Sequence, residues 1–291
     1  MLRPVTGPLA PRIRLLIFGA ILIALTLGTN FLLPRHLDEH LAFLLRDAND
    51  LVILLIASFV MGRIEHRTIA DYGLPWRRTL RSEFWKGAAL GFVMLTALVL
   101  ALRIAGAFFF HGLALRGGAI AQWAAVYVGV FLLVALREEF RFRGYLMVVL
   151  NEIFGFWPAA ALTSAAFGLL HLGNTHENWL GAVNAALFGM LLCLLLQRTG
   201  NLWLPIGLHT AFDWGESYFY GVADSGTTSP GHLLDTSTGG PAWLSGGTVG
   251  PEGSVLCTLL VAITFAIVAR RSRPIPPPPP SDPLPLPDQS A

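Results

Sequence analysis

The residues of this 291-residue chain best able to do chemistry are a carboxylate pair, a basic residue one helical turn further on, and two histidines in later apolar segments. Glu138 and Glu139 open the stretch Glu-Glu-Phe-Arg-Phe-Arg at 138–143, inside one of the most apolar parts of the sequence. An ionised group at bilayer depth costs roughly 2.5–3.5 kcal/mol or more, so charge kept there marks a functional site first. Glu139 and Arg143 are four residues apart and share a helix face, where an ion pair would partly offset both burials and leave Glu138 free. Phe167 with His171, and His209 with Asp213, repeat the same spacing.

A carboxylate and two imidazoles around a buried, water-accessible pocket suit hydrolysis of an amide bond by either of two routes. In one, Glu138 removes a proton from water with His171 as helper, while His209 and residue 213 donate hydrogen bonds to the developing oxyanion. In the other, Glu138, His171 and His209, with or without Asp213, bind Zn²⁺ and lower the pKa of its water to about 7. The cofactor is therefore zinc, or none where Glu138 is the direct base. Adjacent Glu139 and the low dielectric raise the proton affinity of a carboxylate, and Arg143 opposes them.

The elements that must position these groups are membrane helices. Hydrophobic residues make up 54% of the chain and charged ones 13%, with mean hydropathy +0.60, more apolar surface than a soluble domain of this length can hide. Segments long enough to cross, or nearly cross, a bilayer fall near 13–33, 48–62, 85–106, 120–150, 156–173, 179–197, 201–220 and 254–269, giving an all-α bundle of about eight transmembrane helices over 1–273 with its catalytic core at 120–220. The first run is long for a signal-peptide core and has no clear Ala-x-Ala site, so it reads as an uncleaved span. Arg3, Arg12 and Arg14, then Arg63, Arg67, Arg77, Arg78, Arg81 and Lys86, then Arg270, Arg271 and Arg273 all fall on one side if both termini are cytoplasmic. The long loop 221–253 has no Lys or Arg and agrees. Residues 274–291 form a proline-rich tail expected to be extended. Cys193 and Cys257 show no disulfide or metal spacing, and no basic, aromatic-interleaved patch points to nucleic acid.

Depth is a check on the site. Gly155 and Pro158 mark a turn, and Glu138 and His171 lie equally far from it along the chain, so an antiparallel hairpin brings both to one level, roughly 20–25 Å from the turn at 1.5 Å per residue. The turn near 198–201 puts His209 about 12 Å into the bilayer by the same rise. Phe167 reads as packing. Asp47, Asn49 and Asp50 read as capping the second span, and Asn174, His176, Glu177 and Asn178 as a solvated polar turn after the fifth span, with the pocket mouth as the alternative for Asn174.

Glu-Glu-x-x-x-Arg at 138–143 followed by Gly144, Phe-x-x-x-His at 167–171 and His-x-x-x-Asp at 209–213 together resemble the three motifs of the CPBP family, the CAAX-protease and bacteriocin-processing (Abi) intramembrane proteases related to the Ras-converting enzyme. The resemblance implies an intramembrane endopeptidase with Glu138, His171, His209 and Asp213 as its catalytic set and Glu139 and Arg143 in support. It leaves both the metal-dependent and the glutamate-dependent mechanism open. It also implies a peptide or membrane-protein substrate, prenylated or not, and the basic-free loop is more like a bacterial, plasma-membrane member. The last motif of that family often ends in Asn, where this chain has Asp213. An ionised Asp cannot donate to an oxyanion, so Asp213 must be protonated, orient His209 or bind metal. Two competing readings use the same residues: a transporter with a Glu/His/Arg proton relay, and a non-catalytic immunity or scaffold protein.

Overall fold

Proline and glycine punctuate the apolar runs, and the helices begin, break and end at them. The computed structural model describes residues 9–29 and 39–271. In order these form α1 (Pro11–Thr29), α2 (Glu39–Glu65), α3 (Ser82–Ile104), β1 (Phe108–Leu113), α4 (Gly118–Arg143), α5 (Tyr145–Phe154), α6 (Phe156–His171), α7 (Trp179–Thr199), α8 (Trp203–Trp214), β2 (Leu234–Thr238), the single turn α9 (Ala242–Ser245) and α10 (Val255–Arg271). A π-helical turn, Gly215–Tyr220, continues α8. Pro158 and Pro205 sit in the first turns of α6 and α8, where a missing N–H removes no helical hydrogen bond. The side-chain oxygen of Asn178 accepts from the N–H groups of Leu180 and Gly181 at 2.9 and 3.0 Å and starts α7. The expected proline-rich tail lies outside the described residues.

This is an all-α membrane protein carrying one two-stranded ribbon. α1, α3, α7 and the stretch Gly118–Phe154 are each long and apolar enough to cross a membrane. The single span expected at 120–150 is two helices, because the backbone turns at Gly144, where any Cβ would collide with the Phe140 carbonyl oxygen. The second span also differs. α2 begins at Glu39, so Asp47 and Asp50 lie inside a helix rather than capping one, and they face α4: Arg137 Nε donates to Asp47 at 2.9 Å and Arg141 Nη2 to Asp50 at 2.7 Å.

Connections sort to the two ends of the bundle. At one end the Leu202 N–H donates to Gly73 O, the Trp203 indole to Pro75 O, and the Asn201 amide to Glu83, tying the α2–α3 connection to the α7–α8 turn. At the other end β1 and β2 pair antiparallel from Phe108–Thr238 to Leu113–Leu234, with a bulge between Phe110 and Gly112. The basic-free loop is thus built partly of strand, which its Gly, Ser and Thr content hides.

α8 carries His209 and Asp213, and it lies closest to α3. A methyl group on Gly87 or Gly91 would strike the carbonyl oxygens of Leu204 and Leu208, and one on Gly207 that of Phe84. In lipid the hydrophobic effect does not drive helices together, so this backbone-to-backbone approach through small residues supplies the packing. Near the first end, a fully buried Arg14 binds Glu65 through Nε and Nη2 at 2.8 and 2.9 Å and also pairs with Glu152, while Tyr72 and Tyr145 donate to Glu65. That network joins α1, α2 and α5, and burial beside Glu65 holds the Tyr72 phenol well above its ordinary pKa.

Candidate active site

Three helices deliver the expected side chains to one cavity of about 590 Å³. α4 contributes Glu138, α6 His171, and α8 His209 and Asp213; Phe167, Asn174 and Asn184 also line it. One wall, formed by Trp123, Tyr127, Val130, Phe131 and Val134 of α4 with Phe43 and Leu44 of α2, is apolar and aromatic.

Adjacent positions on α4 point about 100° apart, so the two glutamates do different work. Glu139 is fully buried and takes Arg143 Nη1 at 3.2 Å, the ion pair its spacing suggests. The Arg143 guanidinium lies 4.7 Å from the centre of the Phe167 ring, so Phe167 supports a cation as well as packing. Gly189 of α7 makes the room: a Cβ there would meet Arg143 Nη2. Glu138 is not free, as the spacing alone implies; its Oε1 accepts from Arg137 Nη2 at 2.7 Å, and Oε2 faces the cavity 3.7 Å from His209 Nε2.

His171 has one ring nitrogen engaged by the protein and His209 has both. His171 Nδ1 lies 2.7 Å from the Phe167 carbonyl oxygen. A carbonyl only accepts, so Nδ1 carries the hydrogen and Nε2 of the neutral ring is the basic nitrogen. His209 Nδ1 lies 3.0 Å from Glu139 Oε1, and its Nε2 lies 3.3 Å from Asp213 Oδ2. Asp213 therefore lies against the His209 ring, a position compatible with orienting it.

Among the described residues, the one group of three Asp, Glu, His or Cys side chains whose ligand atoms all lie within 4.8 Å of one another is Asp213, Glu216 and Asp224. Glu138, His171 and His209 do not form such a group.

Sequence reasoning missed Arg137 and Asp47, which hold Glu138 from behind, and Glu216 and Asp224 beyond Asp213. A signal existed for the first pair: acids at 47 and 50 and bases at 137 and 141 have helical spacings that match across two neighbouring helices. None marked the second pair, because the π-turn and the loop fold that gather them are tertiary.

The description of the family model that matches residues 119–215 is type II CAAX prenyl endopeptidase, Rce1-like. Over residues 119–215 the chain is similar to the Rce1-like endopeptidases. That stretch runs from the start of α4 to just past α8, and so contains Glu138, His171, His209 and Asp213, which line the cavity, and the buried Glu139–Arg143 pair. No curated protein matches the chain.

Proposed function

We propose that this protein is an intramembrane endopeptidase of the CAAX-protease type in which Glu138 activates the attacking water. The observation that carries the reading is the convergence of Glu138, His171, His209 and Asp213, from three helices of the Rce1-like stretch, on one cavity. Glu138 Oε2 takes a proton from water as the water oxygen bonds to the scissile carbonyl carbon, and the basic Nε2 of His171 orients that water. His209, held at Nδ1 by Glu139, presents Nε2–H to the oxyanion in its imidazolium form, with Asp213 aligning the ring. When the C–N bond breaks, Glu138 returns its proton to the leaving amine. Arg137 and Arg143 keep the two carboxylates in place and touch no reacting atom.

The substrate is a peptide segment at the membrane, and the apolar wall of α4 is chemically suited to a prenyl chain beside the scissile bond. The basic end of the bundle, with Arg63, Arg67, Arg77, Arg78 and Arg81, faces the cytoplasm together with both termini, in a bundle of about eight crossings. The test is cleavage of one CAAX-type peptide, farnesylated and unmodified, by the reconstituted protein. Wild type should cleave, and Glu138→Gln should lose about 10²–10⁴-fold in kcat with insertion unchanged. Full activity of Glu138→Gln would sink the reading.

A further inference from the structure

Beyond the reacting groups the cavity ends in an unusual surplus of acid. Asp213 at the end of α8, Glu216 in the π-turn and Asp224 in the following loop each place an oxygen within 4.8 Å of the others. Glu216 has no exposed surface, and neither of its carboxylate oxygens has a hydrogen-bond partner of ordinary geometry. The backbone amide of Glu252 lies near it outside that geometry. The only basic group paired with the trio among the described residues is His209, on Asp213; Asp224 has a long contact from Ser217 Oγ at 3.4 Å. Glu138, Glu139 and Glu252 add their charge to the same region. A buried ionised carboxylate with neither donor nor counter-ion is strongly unfavourable. The cavity is lined by Asp213 and Asp224, so an ion entering from water reaches the cluster.

We infer that Asp213, Glu216 and Asp224 bind a hard divalent cation, Ca²⁺ or Mg²⁺, beside the active site. The donors are all oxygen, which selects hard ions over zinc. The ion joins the end of α8 to the loop through Asp224 and holds the carboxylate that aligns His209. The inference does not depend on proteolysis, because the ion's binding is read without substrate.

The experiment uses the full-length protein in detergent. Thermal melting is followed in EGTA and in millimolar Ca²⁺, Mg²⁺ or Zn²⁺, and Tb³⁺ luminescence excited through Trp214 and Tyr218 reports direct occupation. The expected result is a rise in melting temperature of at least about 3 °C with Ca²⁺ or Mg²⁺, Tb³⁺ luminescence displaced by the same ions, and loss of both effects in Glu216→Gln and in Asp224→Asn. Glu216→Gln removes an unpartnered buried charge, so it should fold at least as well as wild type in EGTA. No cation effect in wild type, or an effect of equal size in both variants, overturns the inference. Loss of peptide cleavage with cation binding intact would instead count against the proteolytic reading alone.

Discussion

Glu139 Oε1 and His209 Nδ1 meet at 3.0 Å, and this contact joins α4 to α8 across the candidate active site. The same oxygen takes Arg143 Nη1 at 3.2 Å, so one buried atom sets both the imidazole and the guanidinium.

Glu139→Gln should therefore act on His209 without touching Glu138. Loss of such a supporting carboxylate lowers activity about 10–100-fold, and the fall should appear in kcat with KM little changed. Leaving Arg143 buried without its partner should also destabilise the protein by about 3–5 kcal/mol. Cleavage kinetics and melting of the same preparation check both, and unchanged kcat would remove His209 alignment from the role of Glu139.

Asp47 touches Arg137, and Arg137 touches Glu138 at 2.7 Å. Asp47→Ala should reduce cleavage several-fold from a position on a different helix. In a double-mutant cycle with Arg137→Ala the two effects should be non-additive, by about 0.5–3 kcal/mol. Simple addition of the two losses would show that Asp47 acts elsewhere.

At Gly91 a side chain would strike the Leu208 carbonyl, one residue from His209, whereas Gly129 on α4 has open space around its Cα. Gly91→Val should lower stability by about 1–3 kcal/mol or more through overpacking and reduce activity as α8 shifts. Gly129→Ala should be neutral or stabilising. Equal melting temperatures for the two variants would contradict the close packing of α3 on α8.

Two chelators should separate the roles assigned to metals. 1,10-Phenanthroline, which removes zinc, should leave cleavage intact if Glu138 is the direct base, while EGTA should lower the melting temperature by emptying the acidic cluster. Abolition of cleavage by phenanthroline, restored by added zinc, would replace direct water activation with zinc chemistry.

How much the sequence reveals depends on whether a feature is local. Helix positions follow from apolar runs and their punctuation, and α6, α7 and α10 lie within a few residues of the segments expected at 156–173, 179–197 and 254–269. The pairs Glu139–Arg143 and His209–Asp213 follow from i,i+4 geometry, and both form. The break at Gly144 was not legible, since one glycine in a long apolar run leaves the helical period intact, and the turn is imposed by α5 packing on α1 and α6. Asp47 looked like a cap because its partner, Arg137, is ninety positions away in sequence. Glu216 and Asp224 lack a fixed spacing and meet only through the π-turn.

The glycine seam between α3 and α8 also limits how this protein can be taken apart. The Rce1-like match begins at residue 119, after α3 has ended, yet α3 covers the backbone of the helix that bears His209 and Asp213. A fragment of 119–215 would leave that backbone face bare, and a chimera exchanging this stretch with a relative would set a foreign α8 against glycines shaped for the original. Transplantation and minimal-fragment work on this protein therefore has to carry residues 82–104 along with the motifs, although none of the candidate site residues lies on them.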